Sequence, residues 1–359
     1  MHDPSAPTVA SRRTSWPALE HEGSPLIPVA LARPRAPAAA PAISHAPLGA
    51  AKPMWRFSVL ARMPQSLVTK YGGGLAAYAA VETQLATVSD RFNAPHIFAG
   101  TFAFQLTGFQ ITTDGGNDEV KKPHAGYDFA VVYDETGLQG GWLGPQQAVL
   151  HAWPEGQGGV FAPYATDGLV HEFGHARGAV DVYDEDVDAA HNPINHAGFD
   201  APAGIMTSPY GVTTWDQYSA DIINASGSTL YQGAPFVDAI LPPVFTIRTF
   251  GGGGPMSAGV HIDVFPVNWS GKSVNSTPAL SGVTTASGAW TLPHNPFAPG
   301  TPNKPWNLAH PNFLVRATDA SGIFAGHPVR GYAWLPLSTV GAAAFAAPYV
   351  PYELDIGLR

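Results

Sequence analysis

The segment GLVHEFGHARGAVDVYDEDV, residues 168–187, constrains the fold more than any other part of the sequence. Its two histidines, His171 and His175, are four residues apart, a spacing that places both imidazoles on one face of an α-helix. The apolar run LVHEF suits a helix interior, and Thr166 or Asp167 is expected to cap the N-terminus. The segment therefore predicts a helix that presents two metal-binding side chains together.

The residues after this helix supply a third metal ligand. A catalytic zinc ion usually has three protein ligands, so the chain must turn back sharply after His175. Gly178 suits such a turn because it adopts a left-handed conformation without Cβ strain. The spacing H-E-x-x-H-x-x-G-x-x-D favours Asp181 as the third ligand, and Asp184 is its main rival. Further candidates for this position are Glu185, Asp186, His191 and His196.

Glu172 follows the first histidine directly. In an H-E-x-x-H helix the glutamate does not ligate the metal but lies beside the water that the metal activates. It is therefore the candidate general base. The alternative is a charged helix face with no metal, which the Gly178 and Asp181 extension disfavours.

The run HEFGHARGAVD resembles the extended zinc motif of the metzincin metalloproteases. Most metzincins have a third histidine where this chain has Asp181, but a minority, including snapalysin-like enzymes, use aspartate. The longer pattern HEFGH..G..D.YD, with Tyr183 and Asp184, is similar to immune inhibitor A-type bacterial peptidases. The resemblance implies a secreted, zinc-dependent endopeptidase that acts on a protein or peptide substrate.

The same resemblance implies roles for residues outside the motif. Met206, in the small-residue run AGIMTSPYG, corresponds to the methionine turn beneath the metal. Tyr210 corresponds to a transition-state stabiliser, and residues 213–225 to the C-terminal helix of the catalytic domain. An extended substrate is expected to pair with an edge strand within 140–153, where Gly140, Gly141 and Trp142 border the cleft.

The pattern along the chain predicts an α+β fold, with a mixed twisted sheet and an active-site helix. Residues 1–52 are expected to be a disordered Ala/Pro-rich tail or a propeptide, and residues 53–235 the metzincin-like domain. Strands are expected in 55–63, 96–112, 126–135 and 141–153, with His151 on a strand surface. An apolar stripe predicts a helix near 74–92; its members are Tyr78, Val81, Leu85, Val88 and Phe92.

Residues 236–359 are expected to form an all-β sandwich, Ig-like or transthyretin-like. Short β-like runs separated by Gly, Pro and Asn support this; they are VFTIRTF, GVHIDVFPV, SGAWTLP, NFLVRATDASG and GYAWLPL. In VHIDVFP the alternation places His261 and Asp263 on the exposed face of a half-buried strand.

Composition excludes several classes of function. The net charge of −9 disfavours a nucleic-acid partner, and the absence of cysteine excludes disulfides and Cys-based zinc fingers. No apolar run is long enough for a transmembrane helix, and the first residues lack the apolar core of a signal peptide. Secretion is therefore expected from the resemblance alone. The sequence contains no signal of oligomeric state.

Three further hypotheses remain open from the sequence. Two histidines and one carboxylate also form the facial triad of non-haem Fe(II) enzymes. A catalytically inactive binding protein could keep a protease fold, although the intact Glu172 argues against it. The acids at 112–119 and 181–188 resemble Ca²⁺ loops in composition, so Ca²⁺ is a second candidate ion beside Zn²⁺.

Overall fold

The part of the chain that the structure describes has a mixed α+β fold, as the sequence predicts. This computed structural model describes residues 52–113, 116–135, 140–143, 147–228, 241–251, 256–269, 271–297, 310–324, 327–347 and 349–358. The predicted tail lies outside these ranges except for Lys52. No helix within them has the length and apolar character that a bilayer span requires.

Six helices and twelve strands lie within the described ranges. The helices are α1 (Gln65–Lys70), α2 (Gly74–Asn93), α3 (Asn117–Val120), α4 (Pro163–Ala176), α5 (Gln217–Ser226) and α6 (Leu337–Ala346). The first five strands are β1 (Met54–Pro64), β2 (Thr101–Thr112), β3 (Phe129–Asp134), β4 (Gly141–Leu143) and β5 (Ala148–Ala152). The others are β6 (Phe245–Gly251), β7 (His261–Pro266), β8 (Leu280–Val283), β9 (Ala289–Thr291), β10 (Asn312–Phe324), β11 (His327–Pro336) and β12 (Tyr352–Leu358).

The first five strands form one sheet in the order β2-β1-β3-β5-β4. β4 is antiparallel to β5, whereas the other neighbours are parallel. β3 and β5 are buried along their whole length, which is typical of inner parallel strands covered on both faces. The prediction that His151 lies on a strand surface is therefore wrong: it is 3% exposed within β5.

Helices α2 and α4 cover one face of this sheet. The predicted stripe on α2 is confirmed: Val81, Leu85, Val88 and Phe92 are buried in the core, and Tyr78 is half-buried at its edge. On α4, the Phe173 ring packs edge-on against Phe104 of β2, with ring centroids 4.6 Å apart. Because Phe173 lies between the two histidines of the motif, this contact sets the rotation of α4 about its axis.

The C-terminal strands form two further sheets, in the orders β11-β10-β7-β8 and β12-β6-β9. Every predicted β-like run contains a strand. The segment differs from the all-β expectation because α6 follows β11 directly. Asp263 is also not exposed as the alternation predicted: it is 4% exposed, and it accepts hydrogen bonds from Arg316 and Ser281 that compensate its burial.

Buried side chains from the segments before and after residue 236 pack together in one core. One hydrophobic cluster contains residues of the first sheet, of α5 and α6 and of both C-terminal sheets. Gly341 of α6 lies so close to the Tyr218 ring of α5 that an added Cβ would come within 2.1 Å of it. The predicted domain boundary, between residues 235 and 236, falls within 229–240, which lie outside the described ranges.

Candidate metal centre

Helix α4 begins earlier than the sequence predicted. Pro163 occupies its first turn after Ala162, so neither Thr166 nor Asp167 is the N-cap. Proline is favoured there because it has no N–H group to leave unpaired. Asp167 instead lies inside the helix, 5% exposed, where its Oδ2 accepts the backbone N–H of Gly211 at 2.9 Å.

The C-terminus of α4 has the glycine turn that the spacing predicted. Gly178 has a φ of +96°, in the left-handed region. Its N–H donates to the His175 carbonyl at 2.8 Å, and the Ala179 N–H donates to the Gly174 carbonyl at 3.0 Å. This pair of bonds is a Schellman motif, and it reverses the chain toward the face that carries the histidines.

The reversal brings three side chains together. The Nε2 atoms of His171 and His175 lie 3.1 Å apart, and the Asp181 Oδ1 lies 3.0 Å and 3.1 Å from them. These residues form the one group of three metal-binding side chains found in the described ranges. Both histidines are buried, and the Asp181 side chain is 22% exposed.

Backbone carbonyls orient both imidazoles. The Nδ1 of His171 donates to the Ile205 carbonyl at 2.9 Å, and the Nδ1 of His175 donates to the Ala179 carbonyl at 2.9 Å. A proton on Nδ1 leaves the Nε2 lone pair of each neutral ring directed at the other ring and at Asp181. Metal-binding histidines typically donate the N–H of their other ring nitrogen to a carbonyl or carboxylate in this way.

The electrostatics of the group favour a positive charge between the three side chains. Burial lowers the pKa of His175, but the charge of Asp181 and its hydrogen bond outweigh burial, and the net pKa is about 9. Burial also raises the pKa of Asp181, yet the two histidines hold it well below its usual range. The anionic Asp181 carboxylate thus stabilises positive charge beside it, whether that charge is a proton on His175 or a metal ion bound by both rings.

The rival ligands lie elsewhere. Asp184 is half-buried but is not part of the three-residue group, and burial together with the charge of Asp181 raises its pKa to about 8. Glu185 is buried against Ser338, and Asp186 pairs with Lys272. The two histidines farther along the chain, His191 and His196, are exposed. Residues 114 and 115 of the predicted calcium loop at 112–119 lie outside the described ranges.

Met206 lies beneath the two histidines, fully buried. An added Cβ at Gly174, between the histidines on α4, would be 2.7 Å from the Met206 sulfur. The turn that carries Met206 closes through bonds from Thr207 and Ser208 to the Gly204 carbonyl, both 3.0 Å. Because the Ile205 carbonyl of this turn accepts the His171 Nδ1 hydrogen bond, the turn supports the face of α4 that carries the two histidines.

Glu172 and Tyr210 share the surroundings of the group. Both side chains are half-buried. Burial raises the pKa of Tyr210, and the negative charges of Glu172 and Asp167 raise it further. The Tyr210 ring also packs near Trp153 and Tyr164, with centroids 5.7 Å and 6.0 Å away. The two predicted catalytic side chains therefore lie within electrostatic reach of each other.

Tyr183 had no predicted role in the site, yet it contacts one of the candidate ligands. Its ring stacks on His171, with centroids 6.3 Å apart and planes 17° from parallel. Burial raises its pKa, followed by the charges of Asp181 and Asp184 and a hydrogen bond to Asp181. Its place in the HEFGH..G..D.YD pattern was the available signal. No sequence signal pointed to the carbonyls of Ile205 and Ala179, because any residue type supplies a backbone acceptor.

The predicted edge strand is β4, which lies outermost in its sheet and pairs with β5 from Gly141 to Leu143. Gly140 precedes it, and an added Cβ there would lie 3.3 Å from the Leu150 carbonyl. The side chain of Trp142 lies outside the described part of the structure.

The three side chains fit a zinc ion. Ligand atoms on a tetrahedral zinc lie about 3.4 Å apart when the bonds are ~2.1 Å long. The observed separations of 3.0 and 3.1 Å are slightly shorter, so small side-chain shifts would complete the geometry. Two imidazole nitrogens and one carboxylate oxygen are also a donor set that zinc accepts in catalytic sites.

Comparisons with known proteins do not assign a family. No family model and no curated protein matches this chain. A solved structure described as a chaperone-substrate complex is 12% identical, with a TM-score of 0.33, over 49% of this chain and 38% of that chain. Catechol 1,2-dioxygenase from Pseudomonas arvilla C-1 is 10% identical, with a TM-score of 0.17, over 33% of this chain and 53% of that chain. Similarities this low carry no argument about function.

Proposed function

We propose that this chain is a zinc-dependent endopeptidase with a metzincin-like catalytic domain. The observation that carries the proposal is the convergence of the His171 and His175 Nε2 atoms with the Asp181 carboxylate within 3.0 to 3.1 Å. The glycine turn at Gly178 and the buried Met206 beneath α4 support it, because both occur where the metzincin pattern has them. Zinc bound there would supply a Lewis acid that polarises a carbonyl and acidifies water.

Glu172 acts in this mechanism as general base and then as general acid. It accepts a proton from the attacking water and delivers it to the leaving amine. Its charge raises the pKa of His175 as well as that of Tyr210, so its carboxylate lies within electrostatic reach of both.

Tyr210 serves as a hydrogen-bond donor to the oxyanion that develops on the substrate carbonyl. Because burial and nearby carboxylates raise its pKa, the hydroxyl stays protonated at neutral pH. The substrate is an extended peptide, and β4, the outermost strand of its sheet among the described residues, offers it backbone partners in the manner of strand addition.

The test combines metal analysis with cleavage of a peptide library. The purified wild-type protein is expected to contain zinc in equal molar amount and to cleave in a chelator-sensitive way. Glu172→Gln is expected to keep the zinc and to lose about 10²- to 10⁴-fold in kcat. Glu82→Gln, at an exposed position of α2, is the matched control and should leave both unchanged.

Other outcomes would overturn the proposal. Cleavage by Glu172→Gln at the wild-type rate would exclude the assigned base. Iron with oxygen-dependent turnover would identify a facial-triad enzyme instead. Bound zinc with no cleavage of any library member by the wild-type protein would indicate an inactive binding protein.

A further inference from the structure

The segment that follows Asp181 is bonded to the C-terminal part of the chain. Residues Val182–Glu185 form a 3₁₀ turn, and the Glu185 side chain is buried at its end, 1% exposed. Its Oε1 accepts the backbone N–H of Ser338 at 2.6 Å, and its Oε2 pairs with the Ser338 hydroxyl at 2.5 Å. These bonds join residues that are 153 positions apart.

Ser338 gives the contact a specific chemical character. It is the second residue of α6, so its N–H is one of the groups at a helix N-terminus that has no partner within the helix. Pro336, the N-cap, provides no side-chain bond. Glu185 thus caps α6 from outside, because its carboxyl group accepts the Ser338 N–H that has no partner within the helix.

Further contacts hold the same segment in place. The Glu185 carbonyl accepts a hydrogen bond from Asn312 of β10 at 3.0 Å, and Asp186 pairs with Lys272 at 3.3 Å. Val187 is buried in a cluster with apolar side chains of β7 and β10. Every residue from Glu185 to Val187 therefore has a partner in the C-terminal sheets or in the loop after β7.

The same contacts extend back to the candidate ligands. The Tyr183 ring stacks on His171 on one side, and the Lys272 ammonium lies 5.5 Å from its centroid. The Asp184 N–H lies 3.4 Å from the Asp181 carbonyl, which begins the turn at the ligand itself. A displacement of Glu185 would move a turn that contains only three residues between it and Asp181.

We propose that Glu185 is a positioning residue for the metal centre. By capping α6 it fixes the Val182–Glu185 turn and so places the Asp181 carboxylate against the two histidines. The inference rests on the proposed zinc site. It assigns the C-terminal part of the chain a direct role in assembling that site, through Ser338, Asn312 and Lys272.

The experiment compares Glu185→Ala with Glu185→Gln and Ser338→Ala in the full chain. Zinc dissociation constants come from competition with a chromophoric chelator, and the Co²⁺-substituted absorption spectrum reports ligand geometry. Glu185→Ala is expected to weaken zinc binding about 10- to 100-fold and to alter the Co²⁺ spectrum. Glu185→Gln keeps a donor and an acceptor for Ser338, and it should stay within about threefold of wild type.

Two comparisons separate positioning from general destabilisation. Ser338→Ala retains the backbone N–H bond, so its effect should lie between those of Glu185→Gln and Glu185→Ala. Val264→Ala removes buried methyl groups from β7 in a different hydrophobic cluster from that of Val187, and is the matched control for lost stability. It should lower the urea midpoint of the metal-free protein without changing the zinc dissociation constant or the Co²⁺ spectrum.

The result that would overturn the inference is a folded Glu185→Ala protein with wild-type zinc affinity and a wild-type Co²⁺ spectrum. An equal loss of affinity in Val264→Ala would overturn it too. If the wild-type protein binds no zinc, the proposed function fails separately. Hydrogen exchange of the metal-free proteins then tests the positioning role. Glu185→Ala should speed amide exchange in residues 181–187 but not in β1. Unchanged exchange in 181–187 would refute the positioning role.

Discussion

Gly174 and Met206 are in such close contact that a Cβ added to the glycine would lie 2.7 Å from the methionine sulfur. The same Cβ would also lie 3.1 Å from the Trp215 ring. Gly174 is on α4 between His171 and His175, and the turn that carries Met206 holds His171 through the Ile205 carbonyl. The absence of a side chain at Gly174 therefore allows the turn to reach the imidazole.

Gly174→Ala is expected to push the Met206 turn away from α4. Overpacking of this kind costs about 1–3 kcal/mol of unfolding free energy, although alanine favours the helix itself. Zinc affinity should fall as well, because the Ile205 carbonyl would leave His171 Nδ1. Urea unfolding of the metal-free protein and chelator competition measure the two effects.

Gly168→Ala is the control on the same helix. Among the described residues, a Cβ at Gly168 would meet only the Trp153 ring, at 3.8 Å, an ordinary contact. This variant should be as stable as wild type or more stable by about 0.5–1 kcal/mol. If both variants behaved alike, the close contact with Met206 would have no energetic significance.

The choice between Asp181 and Asp184 as third ligand can be tested by neutral replacements. Asp181→Asn removes the anion that lies 3.0 Å from His171 Nε2, so zinc affinity should fall by more than the ~10- to 100-fold that is typical of losing a residue that only hydrogen-bonds to a ligand. Asp184→Asn should change it less than about threefold, since Asp184 is outside the three-residue group. Equilibrium competition for zinc measures both, and the reverse order would make Asp184 the ligand.

The sequence correctly predicted those features of the fold that depend only on residues close together in the chain. The stripe on α2 gave the correct helix because its period of three and four residues buries one face. Gly178 gave the correct turn because few other residues tolerate a φ of +96°. The start of α4 was missed, since Pro163 at the first helical position outweighed the capping residues Thr166 and Asp167.

Long-range contacts account for what the sequence did not reveal. His151 was expected on a surface because strand β5 alone does not show that both of its faces are covered. Glu185 appeared as one acid among several, and only the fold brings Ser338 to it from 153 residues away. The role of Gly174 depends on Met206 in the same way.

The buried His151 predicts a loss of stability in acid. Burial lowers its pKa from 6.5 to about 4, although a bond to the Val160 carbonyl partly opposes the shift. In the unfolded chain His151 therefore takes up a proton near pH 6.5, whereas in the folded protein it is protonated only near pH 4. The resulting stabilisation is complete above the unfolded pKa and is lost as pH falls through the folded pKa.

This contribution amounts to about 3 kcal/mol between about pH 7 and about pH 4. Urea unfolding of the metal-free protein at both pH values measures it. His151→Gln keeps a donor for the Val160 carbonyl but does not titrate. Between pH 7 and pH 4, the unfolding free energy of this variant should therefore fall by about 3 kcal/mol less than that of the wild-type protein. Equal pH dependence in the two proteins would show that His151 stays neutral in the unfolded chain as well, or is protonated in both states.

The bond from Gly211 to Asp167 predicts that Asp167 acts on catalysis through Tyr210. Asp167 Oδ2 accepts the Gly211 N–H at 2.9 Å, and Oδ1 lies 3.4 Å from the Arg91 guanidinium. Asp167→Ala releases this anchor beside Tyr210, whereas Asp167→Asn keeps an acceptor. We expect Asp167→Ala to lower kcat about tenfold, Asp167→Asn to lower it less, and neither to change zinc content.

Tyr210→Phe removes the hydroxyl itself and should lower kcat by about 10²- to 10³-fold with zinc retained. If Asp167 acts by placing this hydroxyl, its effect disappears once the hydroxyl is absent. The double variant Asp167→Ala/Tyr210→Phe should therefore have the kcat of Tyr210→Phe alone, a coupling that steady-state kinetics of all four proteins measures. Multiplicative losses would instead mean that Asp167 and Tyr210 contribute to catalysis independently.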